Sequence, residues 1–163
     1  MNKINDLKIE IFADGADLKS IKRLNNLSYI SGFTTNPSLM KKAEVTDYKE
    51  FALDALKIIG NKPISFEVFS DELDEMEQQA HEIASWGNNI FVKIPITNSK
   101  GIKTCNLVKK LSEKSIKCNV TAILTLNQVK EIYEIANLNT DMVVSIFAGR
   151  IADTGLDPIP TMK

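Results

Sequence analysis

This chain predicts an α/β fold of parallel strands joined by helices, on two recurring patterns. Short β-type runs appear at intervals from end to end, at residues 8–13, 30–34, 64–68, 90–94, 117–120 and 142–145. Segments with the i, i+3, i+4, i+7 periodicity of amphipathic helices separate them. Six βα repeats without a shift in composition predict a parallel sheet, either open and doubly wound or closed as a barrel. The repeat is about 27 residues long, close to that of a (β/α)8 barrel. Six units are two short of eight. The expectation is one domain over residues 1–163 with about six βα units, incomplete at its C-terminal end, where a sixth helix would only be starting at residues 161–163.

The helices follow from their apolar stripes. Tyr48, Phe51, Ala52, Ala55, Leu56 and Ile59 make one stripe, and Leu73, Met76, Ala80, Ile83 and Ala84 make the next. Leu107, Val108 and Leu111 mark a third, and Val129, Ile132 and Ala136 a fourth. Gly60 and Gly87 are placed to close helices, and Pro37 to open one, because its fixed φ suits the first turn and its missing N–H costs nothing there.

Bulk properties exclude several function classes. The 163 residues are 44 % hydrophobic and 25 % charged, with 20 Lys+Arg against 21 Asp+Glu and a net charge of −1. Such a balance carries no electrostatic footprint for nucleic acid. No run approaches the ~20 apolar residues that span a bilayer, and residues 1–6 lack a signal-type apolar segment, so a cytoplasmic protein is expected. Cys105 and Cys118 lack metal-ligand spacing and read as reduced packing residues, and His81 has no second ligand beside it, so no metal site is expected. No dinucleotide or P-loop motif is present, and no cofactor is expected.

Lys93 stands inside the apolar run 89–97. An ammonium buried there costs several kcal/mol, by rough estimate, unless it is paired or loses its proton, and a neutral amine attacks carbonyl carbon. The plain alternative is a lysine on a sheet edge, or one whose stem reaches out to water. In a strand, Phe91, Lys93 and Pro95 share one face and Ile90, Val92 and Ile94 the other. Parallel α/β folds bind ligands at the C-terminal ends of strands, and each of the six ends here carries a polar group. These are Asp14, on the face of Phe12; Thr34 with Asn36; Glu67; Lys93; Asn119 with Thr121; and Ser145 running through Phe147 to Arg150.

Each group has a plainer reading. Asp14 could cap a helix beginning near Asp17, and residues 34–38 could be a loop entering a proline-started helix. Glu67 could pair on the surface, Asn119 could sit in a turn, and Arg150 could pair with Asp153. Together the six ends supply what carbonyl chemistry through an amine requires. An amine forms a carbinolamine and then an iminium, the iminium draws electrons from the adjacent C–C bond, and carboxylates move the protons. Hydroxyls and amides can hold a sugar, and a guanidinium can hold a phosphate.

These segments resemble the transaldolase family of class I aldolases, particularly its smaller members. The resemblance rests on Phe12–Asp14, Gly32–Leu39 (Gly-Phe-Thr-Thr-Asn-Pro-Ser-Leu), Ser65–Val68, Val92–Pro95, Asn119–Thr121 and Ser145–Asp153, in family order over nearly the whole chain. It implies a (β/α)8 TIM-type barrel that moves a dihydroxyacetone unit from a ketose phosphate to an aldose phosphate, as in the pentose phosphate pathway, without metal or cofactor. Lys93 matches the Schiff-base lysine and Asp14 the acid/base at the departing hydroxyl, while Glu67 and Thr121 match the pair holding the catalytic water. Thr34, Asn36, Asn119 and Ser145 match positions touching the donor's hydroxyls, Phe147 lies beside them, and Arg150 matches a phosphate ligand. Small members of the family often assemble as higher homo-oligomers. Related aldolases that release free dihydroxyacetone from fructose 6-phosphate tend to carry Gln at the Glu67 position and Tyr at Phe147, so transfer is favoured over release. The seventh strand of the family, with a second Arg and a Ser for the phosphate, has no match, and two open sheet edges are expected. A catalytically silent fragment is the reading from another class.

Overall fold

A computed structural model describes Ile4 and residues 7–163; the rest of the N-terminal stretch read above lies outside the described residues. The chain divides into two compact units, Met1–Glu67 with Ser85–Ile90, and Val68–Ala84 with Phe91–Lys163. In both, strands alternate with helices and every paired strand is parallel.

The first unit contains β1 (Ile11–Asp14), α1 (Leu18–Asn25), β2 (Ile30–Thr34), α2 (Pro37–Lys42), α3 (Tyr48–Ile59) and β3 (Ile64–Glu67). Strand β2 pairs with β1, setting Phe12 beside Gly32 and Asp14 beside Thr34, and with β3, setting Thr34 beside Ser65. Side-chain oxygens start the helices. Asp17 accepts from the Lys19 and Ser20 amides, Asn36 from Leu39, and Asp47 from Glu50, each satisfying an amide that the first turn leaves open. Gly60 closes α3 at φ 64°, a conformation that favours glycine. Helices α1 and α3 are tied by Asn25 Nδ2 donating to the Ile58 carbonyl (2.9 Å), and Lys62 Nζ, in the turn after α3, donates to the Asn25 carbonyl (3.0 Å).

The apolar stripe of α3 delivers Phe51, Ala52, Ala55 and Ile59 to the interior. There Phe66, wholly buried, receives the edges of Tyr48 and Phe51 at 5.8 and 6.4 Å, and Trp86 stands 6.1 Å away. Such edge-to-face rings contribute about 0.5–1.5 kcal/mol per pair beyond area burial.

The second unit contains α4 (Leu73–Ala84), β4 (Ile90–Pro95, whose first residue belongs to the first unit), α5 (Cys105–Glu113), β5 (Cys118–Ile123), α6 (Leu126–Ile135), β6 (Met142–Ile146), α7 (Ala148–Asp153) and α8 (Ile159–Met162). Strand β5 pairs with β4 and β6. The predicted stripes face inward here too: Met76, Ala80 and Ile83 on α4; Leu107, Val108 and Leu111 on α5; Ile132 on α6. Thr125 and Gln128 form a reciprocal capping box at α6. Glu77 of α4 meets Lys110 of α5 and Lys114, the residue capping its end, at 2.8 and 3.7 Å, with His81 one turn along at 3.8 Å, so the polar faces of the two helices are joined by charge.

Several boundaries differ from the sequence reading. Strand β1 begins at Ile11, not Lys8, because its partner β2 begins only at Ile30 and Ile11 is the residue paired with it. Strand β5 continues to Ile123 around a bulge. Val120 pairs with Val144 and Ile123 with Ile146, so β5 spends one extra residue, and Ala122 takes φ 61°. Gly87 lies three residues past the end of α4 and does not close it. Past β6 the chain forms α7 and α8 rather than a helix starting at residue 161, and Gly149 and Arg150 stand in α7, not on a strand end.

Gly32 is where the sheet tolerates least. A Cβ there would lie 2.3 Å from a carbon of the Phe12 ring and 2.8 Å from the Pro63 carbonyl oxygen. The ring can rotate away, but the carbonyl belongs to the backbone of the neighbouring chain segment. Gly32→Ala is therefore expected to cost about 1–3 kcal/mol by overpacking, read as a lower urea midpoint at unchanged slope. An unchanged midpoint would mean that β2 and the Pro63 segment separate freely.

Candidate functional site

The polar strand ends fall into two groups, one in each unit. In the first, the exposed carboxylate of Asp14 accepts the Thr34 hydroxyl at 2.7 Å. This is the contact their register predicts, and it leaves the Thr34 oxygen lone pairs as acceptors. The helix cap near Asp14 is Asp17 instead, so the capping alternative for Asp14 is overturned. Asn36 does cap the proline-started α2, through Oδ1 (2.9 Å to Leu39 N), which leaves its NH2 as the donor end. Glu67 closes β3, half-buried, and its backbone carbonyl accepts the Tyr48 hydroxyl at 3.0 Å. A cavity of about 320 Å³ adjoins Asp14, lined also by Asp17, Ser20, Phe33 and Lys42.

In the second unit Lys93 is only 9 % exposed. Its strand is flanked by β5, and its carbonyl accepts from Val68 N at 3.1 Å. The alternative of a lysine extended into water is overturned by that burial. Asn119, 3 % exposed, is its register partner in mid-strand and not in a turn, and Thr121, 2 % exposed, is the partner of Pro95. Ser145 Oγ donates to Asn119 Oδ1 at 2.8 Å. That bond orients the amide, fixing which end of the side chain is the oxygen and which the NH2. The bulge at Ala122 directly follows Thr121; bulges of this kind redirect side chains beside functional sites.

Phe147 and Arg150 stand apart from this buried group. Phe147, 40 % exposed, precedes the first turn of α7, with its amide donating to the Ile123 carbonyl at 2.8 Å. Arg150 is exposed and pairs with Asp153 at 3.5 Å, the plain contact its spacing allowed. A surface pairing this long holds a guanidinium weakly. Phe147 and Arg150 line one open pocket of about 460 Å³ with Gly149 and Asp153.

Residues 11–162 match the model of the transaldolase/fructose-6-phosphate aldolase family. The chain belongs to that family. It is 34 % identical over 149 residues to a probable transaldolase of Dehalococcoides mccartyi and 38 % identical over 149 residues to one of Streptococcus agalactiae, in both cases covering 91 % of this chain and 65 % of the relative. A probable transaldolase of Carboxydothermus hydrogenoformans is 40 % identical over 151 residues, 93 % of this chain and 66 % of its own length. The chain thus spans a little under two thirds of the length of these transaldolase relatives.

The sequence reading missed a clasp beside the lysine strand of this transaldolase-family chain. Past β4, buried Asn98 receives the Lys100 and Ile102 amides on Oδ1 and donates to the Asp71 carbonyl at 3.0 Å. The Asp71 carboxylate accepts both the Ser99 amide (2.7 Å) and hydroxyl (2.6 Å), and Lys100 pairs with Glu72. The only signal in the sequence was a cluster of turn residues at 98–101.

The hydroxyl and amide of Ser99 hold the Asp71 carboxyl below the ordinary aspartate range. A depressed folded pKa means that this stabilisation is present above the ordinary aspartate range and is lost as pH falls through the folded value. Asp71→Asn should therefore lower Tm at neutral pH, with the gap to the parent closing on acidification. A gap independent of pH would show that the clasp does not depend on the charge.

Burial, not function, sets both thiols. Desolvation pushes Cys118 up to about 12, and Cys105 is raised by partial burial with Glu131 nearby. Both cysteines are free of disulfides, as expected. Among the described residues no cluster of His, Cys, Asp and Glu is arranged to hold a metal, and no helix is long and apolar enough to cross a membrane.

Proposed function

We propose that this chain carries the Schiff-base site of a transaldolase, a (β/α)8 barrel enzyme that passes a dihydroxyacetone unit between sugar phosphates in carbohydrate metabolism. The observation that carries the reading is a buried lysine on β4, register-paired with an asparagine whose amide is set by a serine hydroxyl. In this reading residues 1–163 belong to one barrel domain. The Lys93 amine adds to the ketose carbonyl and expels water to give an iminium. Asp14 takes the proton of the hydroxyl on the carbon beyond the breaking bond, which leaves as an aldehyde, and the electron pair is held as an enamine. The enamine carbon then attacks the carbonyl of an acceptor aldose phosphate while Asp14 returns the proton. Water hydrolyses the resulting iminium and frees Lys93.

Glu67 and Thr121 serve in this scheme as holders of the water that enters and leaves at the iminium. Thr34, Asn36, Asn119 and Ser145 contact the donor's hydroxyls. Arg150 gives its exposed guanidinium to a phosphate, exchanging a long surface pair for a charge-assisted fork. Phe147 has no hydroxyl with which to protonate the enamine, and that favours transfer over release.

The test is a donor ketose phosphate supplied with and without an acceptor aldose phosphate. Product should form only when the acceptor is present. Free dihydroxyacetone appearing at a comparable rate without acceptor would assign the aldolase activity instead.

A further inference from the structure

We propose that Tyr48 is a positioning residue of this site, its hydroxyl locking the strand end that bears Glu67 to the strand end that bears Thr34 and Asn36. The inference rests on the Schiff-base reading above and deepens it. Tyr48 is the first residue of α3, and the sequence counts it only as part of an apolar stripe. Its ring does pack, edge-on to Phe66 at 5.8 Å and to Trp86 at 5.3 Å. Its hydroxyl does something else. It donates to the backbone carbonyl of Glu67 at 3.0 Å and is hydrogen-bonded to the Thr35 side chain. Thr35, wholly buried between Thr34 and Asn36, is fastened to the Ser65 carbonyl through its amide (3.0 Å), and its one hydroxyl proton is shared between that carbonyl (3.2 Å) and the Tyr48 oxygen. One phenol therefore ties the ends of β2 and β3 at the residues flanking or bearing three proposed site groups.

The phenol is suited to a permanent tether. Burial raises its pKa well above the ordinary tyrosine range, with the Glu67 charge adding to the shift, so the proton that makes the bond stays in place across the working pH range. A displacement near 1 Å in a catalytic group costs about 10²-fold in rate, and the backbone at Glu67 sets where its carboxylate starts.

Tyr48→Phe removes the hydroxyl and keeps the ring contacts, so the variant should fold. The expected result is a fall of about 10- to 100-fold in kcat and in the rate at which borohydride traps the Lys93 adduct, with KM changed by less than about threefold. If Tyr48 acts through Glu67, the Tyr48→Phe, Glu67→Gln double variant should be little slower than Glu67→Gln alone, since residues of one unit are non-additive. Thr35→Val, isosteric and lacking the other hydroxyl, should show a smaller fall with the same non-additivity, and it serves if Tyr48→Phe does not fold. A lower Tm with unchanged kcat and trapping rate, or rate losses that multiply in the double variant, would overturn the positioning role alone. No adduct on the unsubstituted protein would overturn the Schiff-base reading, and this role with it.

Discussion

Lys93→Met is expected to abolish transfer, by about three orders of magnitude or more in kcat/KM, equivalent to ~4 kcal/mol or more of transition-state stabilisation. The covalent route has no substitute in the scheme above, since no other side chain there offers an amine to the carbonyl. Methionine is chosen because it is unbranched and of similar length, and so fills the space of the lysine stem on the face of β4 that carries it. Swaps that conserve side-chain volume usually cost under about 1.5 kcal/mol. The same variant should therefore melt within about 4 °C of the parent. Loss of function with the fold retained is the signature of a chemical role. A variant within tenfold of the parent would remove Lys93 from the mechanism.

The largest expected loss of stability is at Phe66. Its side chain is wholly buried and central to the rings of Tyr48, Phe51 and Trp86, so Phe66→Ala should cost about 3–5 kcal/mol. At roughly 2–4 °C per kcal/mol for a chain of this size, that is a fall in Tm of ~10 °C. Trp86 is the sole tryptophan, so its fluorescence reports the cluster directly. Phe66→Leu, which keeps most of the volume, should lose less than half as much. A Phe66→Ala loss under about 1 kcal/mol would mean that the cavity collapses and that the ring cluster does not organise the first unit. Because Ser65 and Glu67 flank Phe66, the variant should also blunt any activity that depends on where β3 ends.

Much of this architecture was legible because periodicity and burial agree. The run 30–34 is the strand it reads as, and the stripes on α3, α4, α5 and α6 are the faces that turn inward. The errors have local causes. Residues 8–10 alternate like a strand, yet β2 starts too late to pair with them, and pairing is a property of two segments rather than one. The bulge in β5 places Ala122 at φ 61° with no glycine to announce it. Helix α7 was hidden behind Gly149, a poor helix former, and it exists because Ile151 is buried and its amide bonds back to the Phe147 carbonyl at 2.9 Å.

The candidate site was legible to a different degree. Residue types and the period of two placed these groups at strand ends and on strand faces; the register then sets Asp14 beside Thr34 and Lys93 beside Asn119. What one strand's pattern cannot carry is how a polar group is held. The Ser145–Asn119 bond, the Asp71–Ser99 clasp and the Tyr48 tether each join residues distant in the chain by 19 to 28 positions. A tyrosine in an apolar stripe gives no sign of where its hydroxyl points.

The most direct test of the Schiff-base claim is covalent. The protein is incubated with a ketose phosphate, reduced with borohydride, digested and read by peptide mass. Hydride delivered to the iminium carbon makes the linkage permanent, so a three-carbon polyol is expected on the peptide containing Lys93 and on no other. A label on a different lysine, or no label under conditions where the protein is folded, would contradict it.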